Sequence, residues 1–194
     1  MRGACRYPKG MAACSRWSSE ERATPPVNQP PQTPAPRRGA SPHKHAMPST
    51  HTCLLCHIVF STKNREPMIA PSWRLRLHEY LVGAIRGLGG TPQGIGGTAD
   101  HIHILAGLTA SHCLADFMRE LKKASSVWVS DTMREPGFRW QEGYAAFTVS
   151  ASLRLAVQRY IGSQEEHHRK QTFREELIEF LEKSGIEYEE RYLD

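Results

Sequence analysis

Nine of the chain's 13 prolines fall within its first 48 residues, crowded into Pro25-Pro26, Pro30-Pro31, Pro34, Pro36 and Pro42 among Gln, Thr, Ala and Arg. Proline lacks an amide hydrogen and fixes φ, so such a segment can join neither a helix interior nor a sheet ladder. It also has too few apolar side chains to offset the entropy of ordering. Residues 1–46 are therefore expected to be a disordered or extended tail, and regular structure is expected only from Met47 onward. Met47-Pro48 is a candidate for the natural start, with the tail either inert or translated from upstream sequence. The tail holds 8 Lys and Arg against 2 Asp and Glu, a local +6, so residues 47–194 carry 17 bases and 18 acids. Residues 175–194 alone hold 8 acids and 2 bases, which leaves 47–174 with 15 bases against 10 acids. That middle block can face a polyanion; the C-terminal end cannot. The basic tail would add only weak, sequence-independent attraction to nucleic acid.

No stretch approaches the roughly 18–20 apolar residues needed to span a bilayer. Arg6, Lys9, Arg16 and Glu20 interrupt any apolar core of a secretory signal, and five cysteines without even spacing suit reduced thiols better than a disulfide framework. The expected compartment is the cytoplasm.

Past Met47 the pattern turns regular. Thr52–Thr62 reads as a buried strand ending at Lys63-Asn64-Arg65-Glu66-Pro67, and Pro71-Ser72 opens a helix over about 73–88 that Gly89-Gly90 stops. Residues 93–98 and 101–108 form a strand pair. A second amphipathic helix covers about 114–130, with Leu114, Phe117, Met118, Leu121 and Ser125 inward and Arg119, Lys122 and Lys123 outward. Residues 144–149 give a fourth strand. A third helix runs from about 153 to 168 with Leu153, Val157 and Ile161 as its apolar stripe, and a fourth, capped by Thr172, covers 173–183. The order β-α-β-β-α-β-α-α predicts an α+β chain: a ferredoxin-like, split βαβ antiparallel sheet with helices on one face, followed by two more helices.

Two constellations could carry chemistry. His101-Ile102-His103 lies on the third strand, where alternation sends both imidazoles to one face and Ile102 and Ile104 to the other. With the helices on the isoleucine side, the histidine face would stand open, which suits a binding surface. Two adjacent nitrogen donors make half of a metal site; the bland alternative is two half-exposed histidines. On the third helix Tyr160 and Gln164 share a face at a spacing of four, and His168 continues the row. The bland alternative there is a half-buried packing tyrosine. His167-His168 with Glu165, Glu166, Arg169 and Lys170 reads as a solvated helix end, with a role beside the site or against phosphate as the alternative. Cys53-Leu54-Leu55-Cys56 does not read as a zinc site, because an odd offset in a strand sends the two thiols to opposite faces and no second pair follows.

These residues carry a resemblance. Residues from about His51 to Asp194 resemble the HUH single-tyrosine transposases of bacterial insertion sequences, the small TnpA-type, insertion-sequence-200-like proteins. The matching stretches are residues 57–65, Gly96-Gly97-Thr98-Ala99-Asp100-His101-Ile102-His103-Ile104-Leu105, residues 140–150, and Tyr160-Ile161-Gly162-Ser163-Gln164-Glu165-Glu166-His167-His168. Residues 1–46 have no counterpart. The resemblance implies that His101, His103 and Gln164 hold a divalent metal, Mg²⁺ or Mn²⁺. It implies that Tyr160 attacks the scissile phosphate, leaving a 5′-phosphotyrosine and a free 3′-OH, and that the substrate is single-stranded DNA with hairpins at the element's ends. It further implies a nucleoid-associated homodimer in which the tyrosine helix of one subunit docks on the histidine pair of the other. Arg119, Lys122, Lys123, Arg154 and Arg159 are candidates for phosphate contacts. Two alternatives stay open: a domesticated relative acting on repetitive extragenic hairpins, and a noncatalytic nucleic-acid-binding module on the same fold. The sequence does not show what deprotonates the tyrosine.

Overall fold

A computed structural model describes residues 51–189 and 193; the proline-rich tail lies outside the described residues. Leu54–Ser61 (β1), Thr91–Gly97 (β2), His101–Leu108 (β3) and Ala145–Val149 (β4) form one antiparallel sheet in the order β2-β3-β1-β4. Helix Pro71–Gly87 (α1) connects β1 to β2, and Leu114–Thr132 (α2) connects β3 to β4. This is the α+β, ferredoxin-like arrangement that the element order predicts.

Alternation along the central strands splits the core in two. Ile58 and Phe60 of β1 and Ile102, Ile104 and Ala106 of β3 point to the face covered by α1 and α2. There they meet Trp73, Leu77, Leu81 and Ile85, a stripe at a spacing of four on α1, and Phe117, Met118, Leu121 and Val129 of α2. The polar atoms of this core are matched: Trp140 Nε1 donates to Ser125 Oγ at 2.9 Å, and that hydroxyl donates to the Leu121 carbonyl at 2.8 Å.

The opposite face departs from expectation. It is covered, because the C-terminal helices Arg154–Gly162 (α3), Gln164–His167 (α4) and Phe173–Lys183 (α5) fold back over it. Leu55 and Leu105 pack there with Ile161, Val157 and Tyr160. The long third helix expected over 153–168 is broken at Ser163, whose φ of −107° and ψ of 18° leave helical geometry. Gly162 is a weak helix former immediately before the break. Its start shifts as well: Ala151–Leu153 forms a 3-10 turn, and Leu153, expected on the apolar stripe, is 56% exposed.

Glycine makes the packing of α3 possible. A Cβ on Gly96 would sit 2.0 Å from the Ile161 carbonyl oxygen, so only a residue without a side chain lets the end of α3 lie against β2. Gln158 Nε2 fixes the same contact by donating to the Gln93 carbonyl at 2.6 Å. At the end of β2, Gly97 has φ +154°, and a Cβ there would meet the His101 carbonyl at 2.2 Å.

Candidate active site

Strand register places the two histidines. Ser61 pairs with His101 and Val59 with His103, so both imidazoles stand on the face under α3–α5, and they are 1% and 0% exposed. His57, two residues along β1 from Val59, shares that face; its Nε2 lies 3.0 Å from His103 Nδ1 and its ring stacks on His103 at 5.2 Å. Thr98 and Asp100, in the turn before β3, hold His101: Asp100 Oδ1 accepts from His101 Nδ1 at 2.8 Å, and Thr98 Oγ1 donates to the same carboxylate oxygen at 2.7 Å. Phe173 stacks on the outer face of the His101 ring at 4.3 Å.

The helices bring the remaining groups. Tyr160 ends α3, and after the break at Ser163 the side chain of Gln164 turns inward and is 1% exposed. Thr172 caps α5 with a reciprocal capping box to Glu175, which sets the first turn so that Glu176 points at the histidines. Glu176 is 2% exposed and links the helical groups. Its Oε1 accepts from the Tyr160 hydroxyl and, at 3.3 Å, from Gln164 Nε2, while its Oε2 lies 3.4 Å from His103 Nε2 and 3.3 Å from His168 Nε2. His167 Nε2 approaches the tyrosine hydroxyl at 3.5 Å.

Burial dominates the electrostatics. It pushes the Glu176 carboxyl up to about 8, with the nearby charges of Glu179 and Asp100 adding to the effect. It draws His57 down to about 4 and His103 well below the ordinary histidine value, where neighbouring imidazoles reinforce it. Burial also acts on Asp100 in the upward direction, but the His101 and Thr98 hydrogen bonds outweigh it and hold that carboxyl below its usual range. Burial thus favours the neutral imidazole at His57 and His103, the form that donates a lone pair to a metal.

The residues fit a divalent cation. Nε2 of His101, Nε2 of His103 and Oε1 of Gln164 are buried and have no hydrogen-bond partner, so the three ligands implied by the resemblance each present an unused donor atom. Uncompensated buried polar atoms are costly, and a metal ion satisfies them.

The family described as "Transposase IS200 like" matches residues 50–164, more than half of the chain. The chain belongs to the IS200-like transposase family. Among curated proteins it is 35% identical over 71 residues to the ISDra2 transposase TnpA of Deinococcus radiodurans, an alignment covering 34% of this chain and 51% of that protein. The chain therefore spans about half the length of the curated relative it matches. Similar solved structures include a candidate transposase of Deinococcus radiodurans R1 (26% identity, TM-score 0.49, covering 61% of this chain and 95% of that one). Another is a REP-associated tyrosine transposase bound to a REP hairpin (13% identity, TM-score 0.47, covering 63% and 74%).

Within this transposase-family chain, the structure brings Tyr160, Gln164, His101 and His103 to one site. The basic candidates are not part of it. Arg119 is paired with Asp116 and Glu120 on the exposed side of α2. Lys122, expected outward, is half-buried: its ammonium donates to the carbonyls of Gln141, Glu142 and Gly143 and fastens the loop before β4. Lys123, Arg154 and Arg159 are exposed. The sequence pattern did not point to His57 or Glu176, and it left His168 between a solvated helix end and a place beside the site. A signal for Glu176 was available, since it lies between Phe173 and Phe180 on one face of the helix, an acid inside an apolar stripe. Cys53 and Cys56 are free thiols outside the cluster. No described helix is long and apolar enough to cross a membrane.

Proposed function

We propose that the chain cleaves and rejoins single-stranded DNA at hairpin-bearing element ends through a 5′-phosphotyrosine intermediate, with Tyr160 as nucleophile and His101, His103 and Gln164 as ligands of Mg²⁺ or Mn²⁺. One observation carries this reading: the Tyr160 hydroxyl hydrogen-bonds one oxygen of the carboxylate whose other oxygen faces His103 and His168. A packing tyrosine has no reason to end at such a cluster. Family membership supports the DNA substrate, and the resemblance to single-tyrosine transposases supplies the hairpins.

In this reading the Tyr160 oxygen bonds to phosphorus as the bond to the 3′ oxygen breaks, and the leaving oxygen takes a proton to become the 3′-OH. The phosphodiester energy is kept in the protein–DNA link, so rejoining needs no nucleotide cofactor. A bound divalent ion would neutralise charge on the scissile phosphate. Asp100 and His57 hold the two imidazoles by their Nδ1 atoms, and Glu176 Oε1, which already accepts the phenol's hydrogen bond, is placed to take its proton. Assembly as a homodimer belongs to the same proposal; Leu153 and Leu155, 56% and 59% exposed at the start of the tyrosine helix, offer apolar surface for it.

Tyr160→Phe removes only the nucleophilic oxygen. It should abolish covalent adducts on denaturing gels while hairpin binding stays within about twofold by gel shift, since this hydroxyl is bonded to Glu176 and one neutral hydrogen bond contributes little binding energy. Adducts that survive the substitution would place the nucleophile elsewhere.

A further inference from the structure

The segment matched by the family ends at Gln164, yet two of the groups facing the histidine pair, His168 and Glu176, lie beyond it. Hydrogen bonding fixes which atoms they present. His168 Nδ1 lies 2.8 Å from the Gln171 carbonyl, which can only accept, so Nδ1 carries the proton and Nε2 is left with its lone pair. Asp100 fixes the same tautomer on His101, and His103 reaches the same one when its Nδ1 donates to His57 Nε2, 3.0 Å away. Three imidazoles therefore turn Nε2 to one point. Such a bond from the far nitrogen to a carboxylate, carbonyl or other acceptor is what orients metal-bound histidines.

Nε2 of His101, His103 and His168 and Oε2 of Glu176 are all buried without a hydrogen-bond partner. One ligand atom from each of the four residues lies within 4.8 Å of the others. With metal–ligand bonds of about 2.1 Å, ligand atoms of one ion stand about 3.4 Å apart in tetrahedral coordination, so each side chain closes in by less than about 1 Å to hold it. A cation bound there would take the place of the carboxyl proton and satisfy the imidazole nitrogens and the carboxylate together.

We infer that His168 and Glu176 complete, with His101 and His103, a site of three imidazoles and one carboxylate that takes a transition-metal dication in preference to Mg²⁺. The inference rests on the proposal that His101 and His103 hold an ion. Mg²⁺ demands oxygen ligands and keeps its waters, whereas imidazole favours Zn²⁺ and its neighbours, and Mn²⁺ accepts a mixed set. The choice of ion is then made by His168 and Glu176, outside the family-matched segment.

The test needs no DNA. The full chain, stripped with a chelator, is titrated with Mn²⁺ by electron paramagnetic resonance and the bound Mn²⁺ is competed with Zn²⁺ or Mg²⁺. One Mn²⁺ per chain is expected, with Mg²⁺ displacing it only at concentrations roughly 100-fold above those of Zn²⁺. His168→Ala and Glu176→Gln should each weaken Mn²⁺ binding about tenfold or more, with circular dichroism confirming the fold. Pulsed measurements on the unmodified chain should count three imidazole nitrogens, which decides the matter even if a variant unfolds. Unchanged binding in both variants, with loss only in His101→Ala, would overturn this inference and leave the two-histidine reading standing. A count below three would overturn it too. Absence of any binding by the unmodified chain would overturn both.

Discussion

His78 and His101 show how surroundings decide what a buried imidazole does. Both leave Nε2 buried and without a hydrogen-bond partner. His101 faces three further ligand atoms, while His78, on α1, sits beside the Arg74–Glu165 ion pair and belongs to no ligand cluster. Burial draws His78 down to about 4; the Arg74 charge pushes the same way and Glu165 opposes it. A depressed histidine binds fewer protons in the native chain than in the unfolded one between its folded value and 6.5. Stability from this group is therefore complete above about pH 6.5 and is lost as pH falls toward 4. His78→Gln removes the titration and nothing else in that window. Thermal melts from pH 7 to 4.5 should show an acid loss smaller by on the order of 1 kcal/mol in the variant, after discounting for partial exposure. Parallel curves for variant and parent would mean that His78 stays neutral in neither state or both. His57 and His103 also resist protonation, but they contribute equally to both proteins and cancel in the comparison.

At the scale of elements, the site depends on how closely α3 approaches β2. Gly96 pairs with His103 in the sheet register and touches Ile161, the residue after Tyr160, so one position sets the distance between Tyr160 and His103. Gly96→Ala places a methyl against a backbone carbonyl that cannot rotate away. Its cost should be about 1–3 kcal/mol in denaturant melts. Because the displaced segment carries Tyr160 and Gln164, adduct formation should fall at least tenfold, more than the stability loss accounts for. Full adduct yield in a destabilised variant would show that α3 is positioned by other contacts. Much of this architecture was legible. Strand alternation put His101 and His103 on one face, and a spacing of four put Tyr160 beside Gln164, because both periodicities are local geometry. What stayed hidden depends on distant partners. Nothing near Lys122 in sequence shows that its ammonium will meet three carbonyls some twenty residues away, and nothing near His168 shows that α5 will seal it against β3. The covered face was missed for the same reason, since which sheet face a C-terminal helix chooses is a tertiary choice.

For the whole molecule, two expectations concern how much chain is needed and whose tyrosine acts. Residues 1–46 bring proline and positive charge but no periodic apolar face, so a chain beginning at Met47 should melt within about 1 kcal/mol of the full chain and form adducts equally well. Its DNA binding should depend less steeply on salt, because fewer basic groups release counterions. Loss of folding on truncation would give the tail a structural part. The second expectation reverses what the family resemblance implies about shared sites. The resemblance places the tyrosine helix of one subunit on the histidines of another; here α3 lies on β2 and β3 of its own chain, held by the Gly96–Ile161 approach and by Gln158 on the Gln93 carbonyl. Tyr160 reaches Glu176, and Glu176 reaches His103, without leaving the chain. With α3 on its own sheet, a neighbour's tyrosine helix adds nothing to the site. Tyr160→Phe and His103→Ala chains, each inactive alone, should therefore remain inactive when co-expressed and purified together as mixed assemblies, even in a homodimer. Exchange of the helix between subunits would instead give each mixed dimer one site with an intact tyrosine and an intact histidine pair, and cleavage would return toward half of the unmodified level. Adduct formation by the co-purified pair, read on the labelled chain that keeps its tyrosine, separates these outcomes; recovered cleavage there would show that α3 leaves its own sheet on assembly.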